Sequence, residues 1–201
     1  MQTEFRMNME APVTEPLVHL VPHASSDVLP SRARTLRYTS NVSRALNEGV
    51  LKGMGKLLDQ DEKEPIGLFV TSPGGATGTA MSFYDSVRHV LKPELVTVGS
   101  GDVDSSGIII FLTGSRRYVT PRTTFLLHPA GRLFGNQRYT TREMDGMLAE
   151  DRLKNQQYAA VVAESSKGKL TVDRVLEMME EHTVLTAEDM VMYGLAHGLL
   201  S

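Results

Sequence analysis

Thr71-Ser72-Pro73-Gly74-Gly75 and, further along, Gly101-Asp102-Val103-Asp104-Ser105-Ser106-Gly107 decide how this chain reads. The first stretch ends an apolar run, Ile66-Gly67-Leu68-Phe69-Val70, of the kind that forms a strand covered on both faces. Two adjacent glycines after it let main-chain N–H groups face outward where side chains would block them. The second stretch reads as a small-residue turn opening a short apolar helix, with two hydroxyls at its start. A serine at such a turn, opposite a glycine turn with free N–H groups, has the parts of an acyl-transfer site: a nucleophile and a cradle for negative charge. On the motif alone, Ser105 and Ser106 compete for the nucleophile, and a plain Ser-Ser helix cap is the bland alternative.

Strand-like and helix-like segments alternate outward from these turns. Arg34 to Tyr38 is a candidate strand, and Ser40 or Asn41 a cap for a helix whose apolar stripe runs Val42, Leu46, Val50, Met54, Leu57. Ala80 to Leu91 is a second helix, closed by Lys92-Pro93. Leu95 to Val98, Arg117 to Thr120 and Thr124 to Leu127 are further strands, and Gly131 to Gln137 is a loop or weak hairpin. Thr140-Thr141-Arg142-Glu143 is a capping-box signature before a long helix, about 141–166. Thr171 caps a short helix, Thr183 to Leu185 is a brief strand, and Thr186 caps the last helix, which Gly194 ends. The alternation predicts an α/β fold and does not separate a doubly wound sheet from other α/β arrangements. Residues 1–30, with Pro12, Pro16, Pro22 and Pro30, read as a flexible arm or a segment that orders in an assembly; 31–201 read as one domain.

Composition narrows the function. The 201 residues carry 21 Lys and Arg against 24 Asp and Glu, a net charge of −3, so neither nucleic acid nor an anionic membrane is expected as a partner. Cys is absent, which excludes disulfides, thiolate metal sites and a Cys nucleophile and suits a cytoplasmic location. No apolar run approaches ~18 residues, so no membrane span is expected, and no secretory signal is visible at the N-terminus. There is no Walker loop, no Gly-x-Gly-x-x-Gly and no His-Glu-x-x-His, and neither cofactor nor metal is expected.

Ser72-Pro73-Gly74-Gly75, Tyr84-Asp85, Lys92-Pro93, Gly101…Ser105-Ser106-Gly107, His128-Pro129 and Ala187…Tyr193-Gly194-Leu195, in this order, resemble the caseinolytic (ClpP-type) serine peptidase family. The resemblance covers about Leu36 to Leu200. It implies the ββα spiral shared by ClpP and the crotonases, with the long helix as a protruding handle. It implies a serine endopeptidase cleaving unfolded polypeptide inside stacked heptameric rings, a tetradecamer fed by an AAA+ unfoldase of the ClpX or ClpA type. Its pattern selects Ser105 as nucleophile and His128 as the base that takes the hydroxyl proton. The main-chain N–H groups of Gly75 and Ser106 become the oxyanion donors. The third position, an Asp in the family, falls on His182, which can accept a hydrogen bond but supplies no negative charge. Glu180 or Glu181 reaching in, or a Ser-His dyad, are the alternatives. Asp104 stands where the family has a small apolar residue; it either caps the helix or opposes the oxyanion. These departures admit a weakly active or structural paralogue that enters mixed rings with a conventional ClpP. An acyl-CoA enzyme of the crotonase type shares the spiral but fits the Ser105 and His128 pair poorly. The methionines, Met144, Met147, Met178, Met179, Met190 and Met192, read as core or subunit packing.

Overall fold

The computed structural model describes residues 22–201. Its strands are β1 His23–Ala24, β2 Thr35–Thr39, β3 Ile66–Ser72, β4 Leu95–Val103, β5 Arg116–Val119, β6 Phe125–Leu126, β7 Val184–Leu185 and β8 Gly198–Leu200. Its helices are α1 Arg44–Gln60, α2 Thr77–Asp85, α3 Ser106–Phe111, α4 Thr141–Ser165, α5 Val172–Glu180 and α6 Ala187–Met192. A wide helical turn, Ser86–Leu91, prolongs α2, and Lys92 closes it in a left-handed conformation.

The main sheet is parallel, in the order β1-β8-β5-β4-β3-β2. Ile66, Leu68 and Val70 of β3 and Leu95, Val96 and Val98 of β4 are buried, as strands covered on both faces must be. From β2 through β5, each helical connection moves the chain one place in the same direction across the sheet. A doubly wound sheet would reverse that direction; the steady advance is what a spiral requires. The ends of β3, β4 and β6 converge. Ser72 pairs with Val103, and Asp102 bridges to Thr124. This end of the sheet carries the site. β6 pairs separately with β7, antiparallel.

α1 buries Asn47, Val50, Met54 and Leu57, one stripe at helical spacing. Asn47 is polar because it joins three elements. Tyr38 donates its hydroxyl to Asn47 Oδ1 at 2.6 Å, and Asn47 Nδ2 donates to the Thr79 carbonyl at 2.9 Å. Burial pushes the Tyr38 phenol up to about 12. Arg117, also buried, donates its guanidinium hydrogens to the carbonyls of Leu195, Gly114 and Ser165. It ties β5 to the ends of α4 and α6 with no carboxylate partner among the described residues, and burial lowers it to about 10.

Several sequence expectations shift. α1 is capped by Ser43, not by Ser40 or Asn41, because Val42 is drawn out of the helix to donate its N–H to the Gly74 carbonyl at 2.8 Å. Gly101-Asp102-Val103 is not a turn: β4 runs on to Val103 because Ser72 and Thr124 offer it partners. Within the expected arm 1–30, His23 and Ala24 pair with Leu199 and Leu200 and join the sheet. Ser26–Val28 forms a short helical turn, and the first 21 residues of the arm, with His19, lie outside the described residues. The capping box at Thr140 and Glu143 is formed, as are the caps at Thr171 and Thr186. α4 divides in two. Its first half exposes Met144, Leu148 and Leu153, while its second half buries Tyr158, Ala159 and Val162. No helix among the described residues is long and apolar enough to cross a membrane.

Candidate active site

The glycine turn is dictated by close approach. A Cβ on Gly74 would stand 2.6 Å from the Ser105 Cβ, and one on Gly75 would stand 2.6 Å from the Val42 carbonyl oxygen. Only glycine lets Ser105 and Val42 close on this turn, and both positions have positive φ.

Ser105 occupies φ 53, ψ −129, a conformation that L residues rarely adopt and that costs about 1–3 kcal/mol. The surroundings hold it there. Its N–H donates to the Leu126 carbonyl at 2.8 Å. Its carbonyl accepts from the Ile108 N–H at 3.0 Å and from the Tyr158 hydroxyl at 3.0 Å. Asp104 donates its N–H to the Ser72 carbonyl and accepts the Leu126 N–H on its carboxylate, each at 2.8 Å. That carboxylate therefore stitches the turn to β6. Burial is the main reason its pKa is raised above the ordinary value; Asp102 adds to this, while the Leu126 N–H and His128 act against it.

The adjacent serines separate. Ser105 lines a pocket of about 570 Å³ together with Pro73, Gly75, Ala76 and His128. Ser106 is buried, and its hydroxyl donates to the Gly75 carbonyl at 3.0 Å. Neither the Gly75 nor the Ser106 main-chain N–H finds an acceptor among the described residues. Two unspent donors beside a pocket are the requirement for holding a developing oxyanion.

His128 follows β6. Its Nδ1 lies 2.8 Å from the Pro129 carbonyl oxygen. A carbonyl only accepts, so Nδ1 carries the hydrogen and Nε2 keeps its lone pair. Ser105 and His128 share the pocket without a direct hydrogen bond between them; catalytic hydrogen bonds commonly tighten only in the substrate complex. His182 stands apart from the pocket lining. It is the exposed residue just past α5, in a left-handed conformation with φ 52, and the flanking N–H groups close the helix end. Its ring faces that of His128 at 6.0 Å between centroids and 25° between planes, with no hydrogen bond joining them. Glu180 is exposed, Glu181 is 3.7 Å from Arg174, and neither forms an ion pair or hydrogen bond with His128. His89 is exposed beside Asp85.

The far wall of the pocket is charged. Arg132 donates to both carboxylate oxygens of Asp151, at 2.7 and 2.8 Å, and to Glu150 at 2.6 Å. Lys154 donates to Glu150 at 2.6 Å. The bonds from Lys154 and Arg132 hold the Glu150 carboxyl down at about 2. Arg132, Asn155 and Tyr158 were not singled out by sequence reasoning. Tyr158 alone left a signal: a phenol on a helix face that otherwise buries Ala159 and Val162 must find an acceptor for its hydroxyl. Among the described residues, no group of three or more His, Asp or Glu is placed to hold a metal ion.

A strained serine and an imidazole with a free nitrogen in one pocket, with unspent main-chain donors at Gly75 in its wall and at the adjoining Ser106, are the equipment of a serine hydrolase. The family model of the Clp proteases matches residues 26–201. The chain is 30% identical over 175 residues to the ATP-dependent Clp protease proteolytic subunit 2 of Pseudomonas aeruginosa, covering 84% of this chain and 82% of that protein. It is 31% identical over 136 residues to the subunit of the same name from Tropheryma whipplei, covering 67% and 72%. It is 24% identical over 172 residues to the chloroplastic proteolytic subunit 6 of Arabidopsis thaliana, covering 84% and 61%. The chain belongs to the Clp protease family, and it is a divergent, ClpP-type serine peptidase.

Proposed function

We propose that Ser105 is the nucleophile of a peptide-bond hydrolysis in which His128 carries the proton and the Gly75 and Ser106 amides hold the oxyanion. The observation that carries this reading is the strained Ser105, presented to one pocket beside His128 and beside two amides without acceptors. His128 Nε2 takes the hydroxyl proton as Oγ bonds to the carbonyl carbon. The carbonyl oxygen becomes an anion between the two N–H groups. As the tetrahedral species collapses, His128 returns the proton to the leaving amine and an acyl-serine forms. Water, deprotonated by the same nitrogen, releases the acid and restores Ser105. The Pro129 carbonyl fixes the tautomer and direction of the imidazole. His182, the expected third member, is in ring contact range but offers no charge to the imidazolium, so the site works as a dyad with a main-chain orienter.

Family membership supports the assembly. The chain is the proteolytic subunit of a ring that degrades unfolded polypeptide in the cytoplasm, a tetradecamer of two heptameric rings supplied by an AAA+ unfoldase. The exposed Met144, Leu148 and Leu153 on α4 are surfaces for a second copy. The missing carboxylate at His182 supports a second reading, in which the chain works best in mixed rings with a conventional ClpP.

Labelling with a fluorophosphonate probe tests both. The purified chain is treated alone and mixed with a conventional ClpP, and the modified residue is located by mass spectrometry. Label at Ser105 is expected, with Ser105→Ala unlabelled and its peptide hydrolysis lowered by at least ~10³-fold. Label only in the mixture selects the mixed ring. Label at Ser106 overturns the assignment.

A further inference from the structure

Three side chains on one face of α4, Asp151, Asn155 and Tyr158, reach two segments of the site, the loop after His128 and the turn at Ser105. Their spacing of four and then three residues places them in one row along the helix. Asp151 binds the Arg132 guanidinium. Asn155 Oδ1 accepts the N–H of Ala130 at 2.8 Å. Ala130 lies two residues after His128 and one after Pro129, whose carbonyl orients the imidazole. The Tyr158 hydroxyl donates to the carbonyl of Ser105 at 3.0 Å. The loop carrying the base and the turn carrying the nucleophile are thus both bonded to neighbouring turns of a single helix.

We infer that Asn155 and Tyr158 are positioning residues for the hydrolysis, a splint through which α4 sets His128 in register with Ser105. The inference rests on the proposed roles of Ser105 and His128. The need for a splint follows from two features. Ser105 is held in a high-energy conformation, which persists only where several contacts over-determine it. The 127–140 segment that carries His128 onward forms no strand or helix of its own, so its place depends on such outside bonds. Simple packing accounts for the buried ring of Tyr158 but not for the choice of acceptor, since its hydroxyl meets the one carbonyl that belongs to the strained serine. Asn155, half-buried, likewise uses its acceptor oxygen on the main chain of the base loop rather than on a neighbouring charge. Neither side chain touches the reacting atoms. Their effect is on how often Oγ and Nε2 stand in line, which lowers turnover and leaves substrate binding alone.

The experiment uses the full chain and reads kcat, KM and the rate of fluorophosphonate labelling at Ser105. Tyr158→Phe removes one hydroxyl and keeps the ring. Asn155→Leu removes the acceptor, and Asn155→Asp keeps an acceptor oxygen for the Ala130 N–H. We expect Tyr158→Phe and Asn155→Leu each to lose about tenfold in kcat and in labelling rate with KM within about twofold, as the loss of one buried hydrogen bond allows. Asn155→Asp is expected to restore most of that loss. A labelled wild type whose Tyr158→Phe variant keeps its kcat and labelling rate overturns the splint while leaving the site intact. An unlabelled wild type overturns the site and the splint together. Should Tyr158→Phe fail to fold, the Asn155 pair decides: equal turnover in Asn155→Leu and Asn155→Asp overturns the inference.

Discussion

The two ends of the site are built to different standards. At the proposed nucleophile, Gly74, Gly75, Ser105 and Ser106 are fixed by hydrogen bonds from β3, β6, α3 and α4, and by contacts that leave no room for a Cβ. At the opposite end, His128 has one main-chain acceptor, and His182 is an exposed residue at the end of a helix. The contrast teaches which part of the chemistry depends on the backbone. Oxyanion stabilisation needs donors that are already in place when charge develops, so rigidity is rewarded there. Orientation of an imidazole needs only one acceptor on Nδ1, which a carbonyl can provide, although without the charge that stabilises the imidazolium.

Breaking the rigid end has the largest effect. Gly75→Ala places a methyl against the Val42 carbonyl and displaces the proposed oxyanion amide; kcat should fall by about 10²–10³-fold and the melting temperature should drop. Turnover within a few-fold of wild type would show that the Gly75 amide holds nothing. Ser106→Ala comes next. It removes the hydroxyl that clamps the Gly75 carbonyl and leaves the Ser106 amide, so a loss of about tenfold in kcat is expected from steady-state kinetics. The loose end should tolerate more. His182→Gly deletes the ring and suits the left-handed backbone, so turnover should change by no more than about threefold while stability rises by about 0.5–1 kcal/mol in urea unfolding. A large loss of turnover there would make His182 a working third member and erase the contrast.

The smallest effect concerns pH. His197 accepts the Arg117 N–H on Nδ1 at 3.1 Å and sits among Arg117, Lys167 and Arg116. Burial first, and those cations second, hold its pKa below the ordinary 6.5. The unfolded chain therefore binds the proton more readily. The stability this group contributes is complete above about pH 6.5 and is lost as pH falls through the folded-state value. Melting temperature should decline on that side, and His197→Asn, which keeps a neutral acceptor, should flatten the decline. An unchanged slope in His197→Asn would assign the acid sensitivity to other groups. The measurement also separates acid unfolding from loss of turnover in any pH–activity profile.

Much of the architecture was legible because it rests on local signals. The caps at Thr140, Thr171 and Thr186 are written in a few adjacent residues, as is the apolar run of β3. The strands β1 and β8 were not legible. Each is short, and each gains its strand character from a partner at the other end of the chain, His23 with Leu199. The cap of α1 was misplaced for a related reason, since Val42 answers to Gly74 and not to its own helix.

The sequence by itself determined the alternation of strands and helices, the absence of cysteine chemistry and a small set of hydroxyl, imidazole and glycine positions. Local propensity and residue chemistry are sufficient for that. Why Ser105 rather than Ser106 faces the pocket, and what takes the hydrogen of the His128 ring, was decided only in three dimensions. Ser106 turns inward because the Gly75 carbonyl waits for its hydroxyl, and Ser105 turns outward because Gly74, Leu126 and Tyr158 close around its backbone. Those partners come from distant parts of the chain, and the order of residues around a motif does not encode how far apart they end up.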